Sequence, residues 1–278
     1  MRLRTVTTTA MCVLMALIAL PAWARSAHGW IENCPYSHSG SSEPFHISHD
    51  ANLELHDFFG ANDASGHSTV RSMRRHGTTC QPSDTAGYWV PSLYENGHRV
   101  LPSGSHTRQQ IYYRDDNLGG HVHVTPFPRG MELVAGNPRA RSLAQNPMVG
   151  KELYWGCSND RPGGSKRTHP ISCASGIITL HVGFPNCWDG RHRSMVGAPA
   201  SVVYPVQGSC PSSNPVALPR VIERWEYPVG PTTGHIRLSS GRVSTVYGAF
   251  WNTWKQRRLK QLVARCLNAN VNCGSFGR

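Results

Sequence analysis

Eight cysteines constrain this chain more than any other feature. They are Cys34, Cys80, Cys157, Cys173, Cys187, Cys210, Cys266 and Cys273. They follow a stretch with the marks of an export signal. Arg2 and Arg4 form a basic start, Ala10 to Leu20 is an apolar run, and Ala22-Trp23-Ala24 offers a small-x-small cleavage site. Cleavage after Ala24 is expected, which removes the ninth cysteine, Cys12. An even cysteine count in an exported chain implies four disulfides. Pairing by short local loops gives Cys157–Cys173, Cys187–Cys210 and Cys266–Cys273, and leaves Cys34–Cys80. No CxxC occurs, so neither a zinc knuckle nor a redox pair is expected.

The apolar run is too short to cross a bilayer, which takes about 20 residues, and no later run is long enough. No integral membrane segment is expected after cleavage. Residues 1–24 therefore read as a signal peptide and 25–278 as one secreted domain. There are 27 Gly and 20 Pro. Both residues interrupt helices, which argues against a bundle or coiled coil. No GxGxxG opens a helix and no GxxxxGK[ST] is present, so a nucleotide-binding α/β enzyme is not indicated.

Short β-branched or aromatic runs bounded by Gly or Pro recur. They are His121 to Val124, Met131 to Ala135, Ile177 to Val182, Ser201 to Tyr204, Val221 to Tyr227 and His235 to Leu238. One helix is expected, from about Phe250 to Leu267, with Leu259, Leu262, Val263, Cys266 and Leu267 on one side. Lys255, Arg257, Arg258, Lys260 and Arg265 line its other, solvated side. The fold class that follows is mainly β. It is a single-domain irregular β-sandwich or jelly-roll-like fold with long loops, four disulfides and one C-terminal helix.

Several stretches in order carry a resemblance. They include Leu55-His56-Asp57-Phe58-Phe59-Gly60, Asp84 to Tyr94, Ile111-Tyr112-Tyr113 and Trp155-Gly156-Cys157. Further along come Phe184 to Gly190, Cys210-Pro211 with Asn214-Pro215-Val216, Leu238 to Gly241, and Phe250-Trp251-Asn252-Thr253-Trp254. Together these resemble the domain-of-unknown-function family nineteen-ninety-six. Its members are secreted bacterial and fungal proteins, in fungi often joined to WSC modules associated with cell-wall carbohydrate. The resemblance covers nearly the whole chain beyond the signal and implies a carbohydrate setting, but its name carries no activity. The chain departs from relatives at polar positions. Ala198-Pro199-Ala200-Ser201 stands where they carry His-Arg-Ser-His, and Tyr247 and Ala249 stand where they carry His and Asp. Lys255 replaces an Asp. Arg191-His192-Arg193-Ser194 offers a shifted substitute.

His56, Asp57 and Asp189 are the candidate catalytic residues. A histidine can act as general acid or base, and paired carboxylates can cleave glycosidic bonds. Neighbours on a strand point to opposite faces, so His56 and Asp57 converge only if a bend intervenes. Asp189 at a tight turn has the alternative of bonding its own backbone. Trp89, Trp188, Tyr88 and Tyr112 are the candidate ligand-binding rings, with Trp89 and Trp188 expected to face a cleft. A metal reading rests on His121 and His123, or His46 and His49; neither pair has a third ligand nearby. A copper brace on His28 would need cleavage after Ala27, which Arg25 disfavours. No cofactor is expected.

Net charge is +12. That suits acidic envelope polymers; no nucleic-acid motif accompanies the scattered arginines, so nucleic acid is not expected as a partner. The leading expectation is a secreted, monomeric protein that binds a polysaccharide or cell-envelope glycan and has lost polar partners of its relatives. The alternatives are an extracellular polysaccharide hydrolase or lyase using His56, Asp57 and Asp189, and an extracellular copper or zinc binder.

Overall fold

The computed structural model describes residues 28–45, 54–102, 108–120, 122–160, 164, 166–231 and 234–277. The expected signal peptide, His46, His49 and His121 lie outside them. Strands are numbered in chain order. The larger sheet runs β17 (Asn272–Phe276), β1 (Gly29–Asn33), β7 (Gln110–Arg114), β14 (Arg220–Pro228), β10 (Ile177–Gly183) and β9 (Leu153–Cys157). The second runs β2 (Tyr36–Gly40), β3 (His56–Gly60), β4 (Gly87–Pro91), β16 (Tyr247–Trp251) and β8 (Glu132–Gly136). Two small sheets complete the set. One is β12 (Val202–Val203), β11 (Cys187–Trp188) and β13 (Val216–Ala217); the other is β15 (Ile236–Leu238), β5 (Leu93–Glu95) and β6 (His98–Val100). Every pairing in the two large sheets is antiparallel except β1 with β17.

The two large sheets pack face to face as the mainly β reading requires. Alternation along β14 sends Val221, Trp225 and Tyr227 inward, and β10 contributes Ile178, Leu180 and Val182, all buried. Phe59 of β3 stacks on Trp225 with ring centroids 3.6 Å apart and planes 9° apart. Strand β3 ends at Gly60, whose φ of +77° and close approach to the Ala86 carbonyl leave no room for a side chain. All four expected disulfides are present with the expected pairing. Cys34–Cys80 joins the end of β1 to the connection before β4 and so ties the two large sheets together.

The C-terminal helix differs at its start. It comprises α2 (Gln256–Leu262), after the single-turn α1 (Val70–Met73), and continues as a wider π-turn over Val263–Leu267. Phe250 and Trp251 are in β16, paired to β4 and β8. The next two residues spend their side chains elsewhere. Asn252 donates to the Phe127 and Pro128 carbonyls, and the Thr253 hydroxyl donates to the Thr85 carbonyl. The cationic side of α2 is solvent-facing, with Arg257 and Lys260 exposed and Leu259 and Leu262 buried. The run at Val122 to Val124 is not a strand. The Asn268 side-chain amide takes both the Val124 N–H (2.8 Å) and its carbonyl (3.0 Å), standing in for a partner strand.

Removing the ring that joins the two sheets should be costly. Phe59→Ala is expected to lower the unfolding free energy by about 3–5 kcal/mol. Arg257→Ala on the exposed helix side should change it by less than about 0.5 kcal/mol. Urea unfolding midpoints read both.

Candidate functional site

Strand alternation decides the first question. His56 and Asp57 are neighbours on an unbroken β3 and face opposite sides of the five-stranded sheet. His56 shares the outer face with Phe58, Trp89, Ala249 and Trp251, which form a second apolar cluster. Its Nε2 meets the Tyr247 hydroxyl at 2.5 Å, with Glu43 Oε2 at 3.6 Å and Glu54 Oε1 at 3.7 Å. Trp89 Nε1 donates to Glu43 Oε2 (3.1 Å). His56, Tyr247, Glu43 and Trp89 are all 0% exposed. Burial pushes the His56 pKa down to about 4, against two backbone hydrogen bonds that favour the charged ring. The imidazole is therefore neutral near pH 7. Tyr247 and Ala249, the positions singled out as departures from relatives, lie on the same face as His56. Tyr247 brings a hydroxyl and Ala249 a methyl to this cluster.

Asp57 points inward. Its Oδ1 accepts from Ser92 Oγ (2.8 Å), Ser39 Oγ (3.1 Å) and Arg99 Nη2 (2.5 Å). Burial raises its pKa, and the bonds from Ser92 and Arg99 oppose that rise. Asp189 is elsewhere, just after β11 in the smaller sheet. It accepts from the amides of Arg191 (2.8 Å) and His192 (3.0 Å) and pairs with His192 Nδ1 at 2.6 Å. Slight desolvation raises its pKa, but the His192 ring and the two amides outweigh it and hold the carboxyl lowered. The structure does not bring His56, Asp57 and Asp189 to one hollow. Two are sealed on opposite faces of one strand and the third closes its own turn.

The rings divide as well. Trp89 and Tyr88 are 0% exposed, which corrects the expectation that Trp89 faces a cleft. Both faces of β4 are covered, one by the main core and one by the outer cluster, so alternation cannot expose either. Tyr88 donates to Asp84 Oδ2 (2.7 Å) and meets the Tyr113 hydroxyl at 2.6 Å. Trp188 is half-buried, its Nε1 donating to the His192 carbonyl (2.6 Å).

Tyr112 lies on the outer face of the six-stranded sheet, half-buried. That face carries a cross-strand row in register, Asn33 beside Gln110, Gln110 beside Arg224, Arg224 beside His181 and His181 beside Tyr154. His181 and Tyr154 stack with centroids 4.4 Å apart and planes 8° apart. Lys166 Nζ sits 5.2 Å from the Tyr154 ring centre and Arg114 lies 5.4 Å from that of Tyr112. Tyr112 donates to Gln110 Oε1 (2.9 Å). Burial, and then the Arg224 charge, push the His181 pKa down to about 3, so this ring is neutral too. Tyr154 and His181 were missed from sequence. Their signal was present, because His181 alternates with Leu180 and Val182 in a run already read as a strand.

Among the described residues, one three-ligand cluster is compact enough for a metal, Cys34, Cys80 and Asp84. Its two sulfurs are joined as a disulfide, so they are not thiolates. His123 is exposed and outside any strand. No helix among the described residues is long and apolar enough to cross a membrane.

A family model described as Domain of unknown function (DUF1996) matches residues 46–254. No curated protein and no solved structure matches the chain.

The neutral, sealed His56 has a pH signature. Its folded pKa lies below the ordinary 6.5, so the unfolded chain takes up the proton first. The stability it contributes is complete above pH 6.5 and is lost as pH falls toward 4. His56→Gln is expected to destabilise by about 1–3 kcal/mol at pH 7.5. That deficit against the unmodified protein should shrink between pH 6.5 and 4, as measured by chemical denaturation.

Proposed function

Since the chain belongs to the DUF1996 family, whose description assigns no activity, we propose from the geometry that it is a non-catalytic protein of the cell envelope or its exterior that binds a glycan. The ligand face in this reading is the outer face of the six-stranded sheet. The observation that carries it is the in-register row of Gln110, Arg224, His181 and Tyr154 beside Tyr112. A sheet face lined with half-buried rings and planar hydrogen-bonding groups suits a sugar chain. C–H faces pack on rings, and hydroxyl groups bond to amide and guanidinium edges.

The side chains are also held in place, which limits the entropy lost on binding. Arg220 is fixed by Glu152 (2.5 Å) and Asp116 (2.7 Å), and Arg224 by Glu226 (2.6 Å). Four disulfides favour an oxidising compartment, where envelope polysaccharide is met. A hydrolase using His56 and Asp57 would need substrate to reach two side chains that are 0% exposed, so the binding reading is preferred.

Affinity electrophoresis and calorimetry against a panel of soluble polysaccharides and peptidoglycan oligosaccharides test it. The protein should bind at least one member without releasing reducing ends. Tyr112→Ala and Tyr154→Ala should each weaken that binding by about tenfold, and His56→Gln should leave it unchanged. Binding that survives both ring deletions would sink this reading.

A further inference from the structure

A hollow of about 720 Å³ is lined by none of the candidate site residues considered so far. That volume is in the range of small-molecule and oligosaccharide sites. It is lined by three arginines, Arg141, Arg237 and Arg242, and by His169 and His235, all exposed. Leu143, Ile236 and Val243 contribute apolar surface between them. No carboxylate lines it. Among the described residues, none of the three arginines forms an ion pair. That sets them apart from Arg99, Arg167, Arg220 and Arg224, each of which is paired with an acid.

The elements that hold these groups are ordered ones. Arg237 is on β15, where its guanidinium lies 4.2 Å over the Tyr94 ring of β5. That contact fixes the side chain while leaving the charge in place. Glu95, the acid on the same paired strand, is turned to the Gly234 amide (2.7 Å). The tight turn after β15, closed by mutual Leu238–Gly241 backbone bonds, delivers Arg242. Arg141 comes from a separate segment, its amide bonded to Gln145 Oε1 (2.7 Å) at a short 3₁₀ turn. The His169 Nδ1 is bonded to the Thr168 hydroxyl (2.7 Å), which leaves Nε2 for a ligand.

We propose that this hollow is a binding site for an acidic saccharide, a sugar ring bearing a carboxylate or phosphate group. Guanidinium groups match both anions in bidentate geometry. Three unpaired arginines around one hollow are an expense in self-repulsion that an anionic ligand relieves. The apolar patch selects against a bare anion, since only a ligand with a carbon framework can cover it. The site is separate from the sheet face of Tyr112 and does not depend on it.

The test is binding of three saccharide probes and one charge control to the full-length mature protein, measured by fluorescence anisotropy at low and moderate salt. They are oligogalacturonate, its methyl ester and a glycerol-phosphate polymer substituted with sugar; polyglutamate supplies charge without a sugar. Oligogalacturonate, the phosphate polymer or both should bind, at least about tenfold more tightly than the ester and than polyglutamate. Which of the two anionic probes wins identifies the acid group. The double variant Arg141→Gln with Arg242→Gln should weaken that binding at least about tenfold and flatten its salt dependence. Both residues are exposed, so the variant is expected to keep the unmodified unfolding midpoint. Tyr112→Ala should leave acidic-probe binding unchanged. Equal affinity for ester and acid, equal affinity for polyglutamate, or an unaffected double variant would each overturn the assignment. Loss on Tyr112→Ala without loss in the double variant would overturn it too, while leaving the sheet-face reading standing.

Discussion

Strand β3 is buried on both of its faces, and most of what this molecule can and cannot do follows from that. A strand offers only two directions to its side chains. When a stacked sheet covers one and a satellite cluster covers the other, every side chain on it is sealed. Phe59 goes to the Trp225 stack, Asp57 to the serines and Arg99, and His56 to Tyr247 and the glutamates. Strand β4 inherits the same constraint, which buries Tyr88 and Trp89 together. The polar residues most suggestive of chemistry thus become interior groups that must be satisfied by each other. In the proposed reading, recognition falls to the outer face of the other sheet.

The buried polar groups pull against one another with pH. His56 disfavours acid, as its neutral ring resists protonation. Glu32 and Asp84 do the reverse. Burial raises both carboxyls, the Asp84 charge raises Glu32 further, and the bonds from Tyr88 and the Ala86 amide only partly offset the rise at Asp84, so both stay protonated in the folded chain near pH 7. Their stability contribution is complete below the ordinary carboxylate range and is lost as pH rises through their raised folded values. The Asp84 carboxyl heads a chain through Tyr88 and Tyr113 to the indole of Trp254, with successive contacts of 2.7, 2.6 and 2.9 Å. These bonds fasten β4, β7 and the entry to α2. This interior is held by specific hydrogen bonds as much as by apolar area.

Much of the fold was legible in the residues. Cysteine spacing gave the four pairs because three of them close short loops. β-Branched and aromatic runs bounded by Gly or Pro found β8, β10, β14 and β15 within a residue or two. The failures have physical causes. His121 to Val124 has a strand's composition, but Asn268 occupies the backbone of Val124. Phe250 and Trp251 sit beside a helical pattern, yet their pairing with β4 and β8 wins. The site was less legible. Alternation correctly warned that His56 and Asp57 diverge, and the turn at Asp189 behaved as such turns do. Exposure of individual rings was not readable, because it depends on which faces a second layer covers. Trp89 beside a proline looked peripheral and is interior. Tyr112, with His181 and Tyr154 beside it, is half-buried on the outer face of the other sheet, and Trp188 is half-buried at its own turn.

Hydrogen exchange with and without a bound neutral oligosaccharide, chosen as the tightest member of the glycan panel, tests the division between a sealed sheet and an open one most directly. The account predicts slowed exchange in β7, β9, β10 and β14, centred on Tyr112, Tyr154 and His181, with β3 and β16 unaltered. Protection concentrated around His56 and Tyr247, with the six-stranded sheet unchanged, would contradict it.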